Sequence, residues 1–300
     1  MKNPTIDVQP GKIASYGALP VPRLTPDLLT LIKSGTVHSL AVIYREGIPV
    51  PSPMVPYTLS PRIRHGDLEE IRPASAAAEV VTMSCHTGTH IDALCHIGEH
   101  RNENGNLDPI GNVRLYDGEG ETVDAASAID LNGQRHLSIA EMPPIIQRGV
   151  LLDVASDKGV DVLPDAYQIT AEDIAETLKN QGTEIGPQTA VLVRTGFYKH
   201  LASGGAAYRD SIAGLRLDGA ELLHNLGMNL VGADNMTVEA FPPLDHSVHR
   251  YLLARNGITH LENLYLEDLA EQRVYEFLLI VTPLRIGGAT ASWVHPIAIR

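Results

Sequence analysis

A chain of 300 residues, 44% of them hydrophobic, has the length and composition of a folded protein with one large domain or two small ones. Its net charge of −13 argues against nucleic acid or an anionic membrane as a partner, because both select basic surfaces. Two cysteines are too few for a disulfide-stapled secreted scaffold, and neither a signal-peptide core nor an apolar run of about 18 residues occurs. We therefore expect a cytoplasmic protein.

The first quarter of the chain predicts little regular structure. Residues 1–25 are rich in proline and glycine and predict an irregular N-terminal segment. A threonine cap, a proline in the first turn and a final glycine predict a helix over Thr25–Gly35, and a strand is expected at 37–44. Residues 46–75 contain many prolines and predict a long loop. A strand over Ala78–Cys85 is then expected to lead into a histidine-rich segment.

Strands and helices alternate in the second half. Apolar runs predict buried strands at 149–156, 189–196, 228–234 and 275–284, and capped amphipathic segments predict helices at 170–182 and 217–227. This alternation is typical of an α/β or α+β fold. No change in composition divides the chain, so residues 1–300 are expected to form a single domain.

Residues 84–100, SCHTGTHIDALCHIGEH, contain four of the 13 histidines, namely His86, His90, His96 and His100. A solvated polar loop would explain some of them, but the spacing His-x-x-x-His-x-Asp suits a metal site. His86 and His90 can converge from one turn, which Gly88 would allow to be sharp, and Asp92 can complete three protein ligands. Three nitrogen and oxygen ligands with open positions are typical of a catalytic Zn²⁺ or Mn²⁺ site.

Other polar groups in the same segment are open to more than one interpretation. His96 lies four residues beyond Asp92 and is a candidate general acid or base, since histidine titrates near neutral pH. Thr87 and Thr89 could orient the ligands, and His100 is as readily a solvated residue. The thiols of Cys85 and Cys95 could bind metal, but small buried cysteines are the commoner case.

The stretch HTGTHIDALCH resembles the signature of the metal-dependent cyclase-like hydrolases, His-x-Gly-Thr-His-x-Asp-x-Pro-x-His. This family includes bacterial kynurenine formamidase, isatin hydrolase and trans-dienelactone hydrolase. Leu94 replaces the proline of the signature, and longer members have Ala-Leu at this point, as Ala93-Leu94 do here. Further similarity lies in GVLLDV, LVRTGF, LVGADNMTVEAFPP, VHRYLLARNGITHLENLYLEDLA and the C-terminal EFLLIVTPLRIGGATASWVHPIAI, in which Trp293 departs from the usual Ser-Pro-Val-Asn.

The resemblance implies an α/β domain around a small barrel-like mixed β core, of the swivelling β/β/α type, and a dimer or tetramer. It also implies a second metal position, formed by His249 and Glu262 with Asp92 bridging the two ions. His246 is a nearby competitor, although the two leucines after His249 match the family's spacing. A helix start, a turn at Gly257 and a returning strand would bring these groups together. Some relatives use one metal, so one or two ions per chain are expected.

Several residues beyond these ligands are candidates for substrate binding. Asp234 ends a predicted strand, where α/β proteins often place function, although it could equally cap a turn. Phe197 and Tyr198 could line a pocket or belong to the core. Arg194 could bind a substrate carboxylate, but pairing with a structural carboxylate is favoured. Residues 101–111 could form a flap over the site or a plain surface loop.

These observations predict a Mn²⁺- or Zn²⁺-dependent hydrolase. It would cleave an amide, lactam or lactone bond of a small substrate, with metal-activated water and with His96 as the proton shuttle. A binding or structural protein with a degenerate site is an alternative, but the primary ligands and His96 are all present. A metal-dependent lyase or oxygenase with the same ligands is another. A cupin-type oxygenase would need a His-x-His pattern in short strands, which the helical middle of the chain disfavours.

Overall fold

The computed structural model of the protein describes residues 13–50, 53–100, 113–203 and 207–300. The predicted flap at 101–111 and the first part of the irregular N-terminal segment lie outside these residues. The strands are β1 (Val37–Ser39), β2 (Thr58–Ile63), β3 (Ala78–Thr82), β4 (His90–Asp92), β5 (Glu99–His100), β6 (Val113–Tyr116), β7 (Thr122–Asp124), β8 (Ile129–Asp130), β9 (Gly133–Gln134), β10 (Ile145–Asp153), β11 (Gln168–Ile169), β12 (Thr189–Arg194), β13 (Gly214–Leu215), β14 (Met228–Ala233), β15 (Thr259–Glu262), β16 (Glu276–Val281), β17 (Ala291–Trp293) and β18 (Ile297–Ile299).

The helices are short apart from two. They are α1 (Pro26–Leu29), α2 (Ala125–Ala128), α3 (Val154–Asp157), α4 (Ala171–Gln181), α5 (Tyr198–Ser203), α6 (Ala207–Asp210), α7 (Leu217–Asn225), α8 (Ser247–His249) and α9 (Glu267–Glu271), with a π-helical segment at Arg250–Arg255 and 3₁₀ turns at Glu69–Ile71 and Ile139–Glu141. Within the described ranges, no helix is long and apolar enough to cross a membrane.

A curled nine-stranded sheet forms the centre of the fold, in the order β1-β18-β16-β10-β12-β14-β15-β4-β17. Strands β10, β12, β14 and β15 run parallel, and the strands on both sides of this group are antiparallel to their neighbours. The predicted mixed α/β fold with a barrel-like β core is therefore confirmed. The parallel strands are runs of buried apolar residues, as expected for strands that are covered on both faces.

Alternate residues of these strands pack into two separate cores. Leu192 of β12 and Leu261 of β15 belong to one core, whereas Val193 of β12 and Val231 of β14 belong to the other, which also contains residues of α4 and α7. Because side chains alternate along a strand, the neighbours of Leu261 in β15 face the side covered by these helices. His90 and Asp92 lie on this same side of the sheet, because Ile91 between them packs into the core that contains Leu192 and Leu261.

Helix α4 forms as its sequence predicts. The Thr170 hydroxyl accepts a hydrogen bond from the amide of Asp173, and the Asp173 carboxylate accepts one from the amide of Thr170. Gly182 ends the helix in the left-handed conformation, with a φ of 65°. The helix at 217–227 and the strands at 149–156, 189–196, 228–234 and 275–284 are likewise present, each within a few residues of its predicted bounds.

The first quarter differs from its prediction. Helix α1 contains four residues of the eleven expected and has no buried face, so tertiary packing adds little to its stability. The predicted loop at 46–75 contains β2, which pairs with β3 as a hairpin. Strand β3 is exposed and ends at Thr82, so the histidines follow an irregular segment and not a core strand.

An ion-pair cluster ties β5 to the π-helical segment. The guanidinium groups of Arg250 and Arg255 both donate hydrogen bonds to the carboxylate of Glu99, with Nε–O distances of 3.0 and 2.9 Å. Hydrogen bonds from Arg255 and Arg250 lower the pKa of Glu99 to about 2, and its side chain is 23% exposed. The carboxylate therefore stabilises the fold in its charged form.

We predict that Glu99→Gln lowers the free energy of unfolding by about 2 kcal/mol at pH 7. Because the pKa is depressed in the folded state, this contribution is present above the unfolded value near 4.5 and is lost as the pH falls toward 2. In urea titrations, the difference in unfolding free energy between the variant and the wild type should accordingly shrink as the pH falls across that interval. The exposed Glu121→Gln provides a control with little change, and a difference that is independent of pH would contradict the prediction.

Candidate metal centre

A tight turn brings the first two histidines together. Gly88 adopts a φ of 61°, and a Cβ at this position would lie 2.7 Å from the ring of Tyr44. The sharp turn expected at this glycine is therefore confirmed, and only glycine fits it without strain. Thr89 fixes the turn, because its hydroxyl accepts from the amide of Val42 and donates to the carbonyl of Asn263.

The pairing of β4 with β15 brings the carboxylates of Asp92 and Glu262 close together. The strands are antiparallel, with Glu262 directly opposite His90 and Leu261 opposite Ile91. The chain reaches β15 as the sequence predicts, from α8 through the π-helical segment and a turn at Gly257, whose φ is 61°. Residues 249 and 262, which are 13 positions apart, thus meet at one site.

Short distances connect the predicted ligands around the two carboxylates. The Nδ1 atom of His86 lies 3.0 Å from Oδ1 of Asp92, and Nε2 of His90 lies 3.5 Å from the same oxygen. Glu262 is 3.3 Å from Nε2 of His90 and 3.3 Å from Nε2 of His249. The structure therefore brings together all five predicted metal ligands, in a region where each is at most 7% exposed.

Hydrogen bonds on the outer side of three rings fix which nitrogen faces the centre. Nδ1 of His90 lies 2.8 Å from the carbonyl of Gly88, to which it can only donate, so Nε2 is the nitrogen that faces the carboxylates of Asp92 and Glu262. Nε2 of His86 lies 3.0 Å from the hydroxyl of Thr290. Such outer partners are typical of metal-binding histidines, because they fix the tautomer and the ring orientation.

The third ring is held by a carboxylate that the sequence did not suggest. Oε1 of Glu239 lies 2.5 Å from Nδ1 of His249 and 3.1 Å from Nδ1 of His246, and Oε2 accepts from the amide of Val248. Of the two competing histidines, His249 is the one that faces Glu262, whereas the His246 side chain is 41% exposed. A glutamate in a proline-rich loop gives no local signal for this role.

His260 is a second residue that sequence analysis missed. It is fully buried in β15, and its ring centroid lies 4.4 Å from that of His249. Ligand atoms of His260, His249, Asp92 and Glu262 all lie within 4.8 Å of one another. The available signal was its spacing of two from Glu262 in a strand, which places both side chains on one face.

Several buried polar atoms in this cluster have no hydrogen-bond partner. They are Nε2 of His90, both carboxylate oxygens of Asp92, Oε1 of Glu262 and both ring nitrogens of His260. An unsatisfied buried polar group costs about 1–3 kcal/mol, and a charged one costs more. Carboxylate oxygens and imidazole nitrogens that point at a common centre suit a divalent cation, so the residues present fit a metal ion.

Burial and charge act in opposite directions on the histidines. Burial lowers the pKa of His90, but the nearby carboxylates of Asp92 and Glu262 outweigh it and raise that pKa to about 10. Burial dominates at the other two rings, lowering the pKa of His96 to about 4 and that of His260 to about 3. The proton on His90 neutralises charge between the two carboxylates, as a metal ion would, and binding of an ion displaces such protons.

His96 lies at the border between the centre and the adjacent cavity. Its Nε2 is 4.0 Å from Oδ2 of Asp92, and its side chain is 21% exposed. The ring stacks on that of His86 at a centroid distance of 4.1 Å. His96 also forms a possible ligand group with His86 and Asp92, so its position suits either a ligand or a proton carrier.

The cavity beside the centre has a volume of about 630 Å³. His86, His96, His249 and Glu262 line it on the side of the centre. Most of its other wall is apolar and consists of Val50, Met54, Ile97, Ile212, Met236, Phe241 and Leu244, with Arg209, Asp210, Thr237 and His246 as further polar residues. The centre is therefore accessible to a small organic molecule with an apolar body.

The three predicted substrate-binding residues do not line this cavity. Asp234 is fully buried, and its carboxylate accepts hydrogen bonds from the amides of Thr195 and Gly196 and from the Thr195 hydroxyl. Phe197 is fully buried in a hydrophobic core, and Tyr198 lines a separate small pocket. Asp234 and Phe197 are thus packed inside the fold, and Tyr198 lies beside a different pocket, because a side chain that follows a strand can turn inward as easily as outward.

Three other sequence expectations concern neighbouring polar groups. Arg194 pairs with Asp153 and Glu267, which agrees with the expected structural role. Burial raises the pKa of Cys95 to about 12, so its thiol stays protonated and behaves as a small hydrophobe. Trp293, the departure from the family pattern, donates from its indole to the carbonyl of Ser84 and so braces the segment that carries His86.

Comparison with known proteins agrees with this geometry. Residues 38–240 match the model of the Cyclase family, which is more than half of the chain. The chain belongs to the Cyclase family. The matched range includes His86, Asp92 and His96 but ends before His249 and Glu262.

Individual relatives extend the similarity beyond that range. Kynurenine formamidase of Bacillus cereus is 27% identical over 219 residues, or 72% of this chain and 77% of the relative. A crystal structure of a novel cyclase superposes with a TM-score of 0.77 at 28% identity and covers 92% of both chains. Isatin hydrolase A from Ralstonia solanacearum shares the fold, with a TM-score of 0.63, 19% identity and coverage of 92% of this chain and 97% of that one.

We predict that the protein binds at least one divalent ion per chain and that His86→Ala and Asp92→Asn each lose it. Because histidine ligands must be deprotonated and the pKa of His90 is raised to about 10, affinity should also fall as the pH is lowered through the neutral range. Isothermal titration with Zn²⁺ and Mn²⁺ measures both effects. Asp234→Asn is the matched control, since it alters an equally buried aspartate that bonds only to Thr195 and Gly196 among its described partners. Full metal binding in both centre variants would contradict the assignment.

Proposed function

We propose that the protein is a divalent-metal-dependent hydrolase that cleaves an amide, lactam or lactone bond of a small, largely apolar substrate. One observation carries this proposal: five buried nitrogen and oxygen ligands converge beside a cavity that His96 also lines. The name of the Bacillus cereus relative, kynurenine formamidase, indicates hydrolysis of a formamide and supports an amide as the scissile group.

The cavity supports the proposed substrate class. Its apolar side chains would bury the hydrocarbon or aromatic body of a small molecule, with about 25 cal/mol gained for each Å² removed from water. The ligand histidines and Glu262 lie at one side only, so the reactive carbonyl of a bound substrate would be directed there. Positioning of this kind reduces the entropic part of the barrier.

The ligand set favours Zn²⁺ or Mn²⁺, since imidazole and carboxylate suit both ions. When bound, such an ion polarises a carbonyl and lowers the pKa of water toward neutrality. The hydrogen bonds that the ligand rings form with the Thr290 hydroxyl, the Gly88 carbonyl and the Glu239 carboxylate hold the rings in place, so that the centre needs little rearrangement during the reaction. The carboxylate of Asp92 lies within ligand reach both of His86 and His96 and of His249, His260 and Glu262.

His96 is proposed to carry the proton. As a neutral imidazole it would accept a proton from the attacking water, and the Asp92 carboxylate at 4.0 Å would stabilise the resulting imidazolium. The carbonyl carbon gains a bond to the water oxygen and then loses its bond to the leaving nitrogen or oxygen. His96 returns its proton to that leaving atom, which restores the neutral ring and releases an acid and an amine or alcohol.

We predict that His96→Asn retains its metal and loses about 10²- to 10⁴-fold in kcat, the usual contribution of a general acid or base. Hydrolysis of a panel of N-formylated arylamines, lactams and lactones gives the rate, and elemental analysis gives the metal content. His224→Asn is the control, because that histidine of α7 bonds to the Tyr251 hydroxyl and does not line the cavity.

The outcomes separate the possible roles of His96. Loss of metal in His96→Asn would show that this histidine is a ligand. Retained metal with unchanged turnover would remove it from the mechanism. A wild-type protein that holds metal but hydrolyses no member of the panel would argue against the proposed reaction itself.

A further inference from the structure

His260 presents a buried histidine that the proposed mechanism does not use. It is completely buried, and neither ring nitrogen has a hydrogen-bond partner. A satisfied core histidine would bond at least one nitrogen to the backbone or to a side chain. The unpaired ring instead lies among predicted metal ligands. The ligand atoms of His260, His249, Asp92 and Glu262 all lie within 4.8 Å of one another.

The sheet register explains why this histidine belongs to the centre. Glu262 pairs with His90 and Leu261 pairs with Ile91, so one further antiparallel step places His260 opposite Asp92. Directly opposed side chains on one face have Cβ atoms about 4.5–5.5 Å apart. Two neighbouring strands thus present two histidines and two carboxylates as a square on a single face.

We infer that His260 is the fourth protein ligand of the second ion, beside Asp92, His249 and Glu262. This inference rests on the two-ion form of the proposed function. Four protein ligands are the number that Zn²⁺ takes at sites closed to solvent. His249 and Glu262 line the cavity but His260 does not, so protein closes the second position on the His260 side.

The two ion positions therefore differ in their tasks. The second ion has its coordination filled by the protein, and it holds Asp92 and Glu262 in place as a structural cation. The position beside His86, His90 and Asp92 has only three protein ligands and so retains room for substrate and water, and His86 and His96 line the cavity there. The chemistry belongs to that first position.

The test compares Zn²⁺ binding and thermal unfolding of the wild type and His260→Leu. Replacing an outer partner of a metal ligand typically costs 10- to 100-fold in affinity, so loss of a direct ligand should weaken the second Zn²⁺ by at least about 100-fold and leave the first in place. Without metal the variant should melt at a higher temperature than the wild type, because the substitution removes two unpaired buried nitrogens. In the presence of Zn²⁺ the wild type should melt at the higher temperature of the two.

His38→Leu is the matched control, because His38 is also buried, has an unpaired Nε2 and belongs to none of the described ligand groups. It should bind both ions like the wild type. If His260→Leu binds two ions with unchanged affinity, the inference is overturned and the proposed function stands. The same holds if the wild type binds only one ion. A wild type that binds none would overturn both. If His260→Leu does not fold, a crystal structure of the wild type with Zn²⁺ decides through the ligands of the second anomalous peak.

Discussion

The burial of two carboxylates beside each other is the constraint on which the rest of this structure depends. Asp92 and Glu262 lie on adjacent strands with almost no access to water, and several of their oxygens have no hydrogen-bond partner. Buried negative charge is tolerated only when positive charge compensates it. The surrounding histidines meet this need by carrying a proton or by sharing a cation, and Thr290 and Glu239 restrict them to the orientations that do so.

The sheet creates this arrangement through register and alternation. In β4 and β15 every second residue is a ligand candidate, and Ile91 and Leu261 between them complete the opposite hydrophobic core. A slip of one residue would exchange the two sets and bury the charged groups among leucines, so the core itself enforces the register. Packing and chemistry are therefore specified by the same few residues.

How far the sequence predicts this site depends on how local each signal is. The motif from His86 to His96 lies within one turn and one short strand, and the structure brings its groups together as expected. His260 and Glu239 were missed, because one resembles a core residue and the other lies in a loop, and only the tertiary fold reveals their neighbours. The sequence left the environment of Phe197 open for a similar reason, because an apolar residue after a strand has no preferred direction, and the structure places it in a hydrophobic core. The short α1 shows that cap residues do not sustain a helix that has no buried face.

The π-helical segment Arg250–Arg255 has a consequence for which changes in chain length this protein can accept. A π-helical turn contains one residue more than an α-helical turn, and such bulges arise where an insertion has been absorbed inside a helix. Deletion of a single residue here would restore an α-helix and rotate everything after it by about 100° relative to His249. Leu252 and Leu253 would leave their cores, and the turn at Gly257, which fits against the ring of Tyr116, would no longer close. A deletion in this segment would therefore disturb both cores and the turn that leads to Glu262.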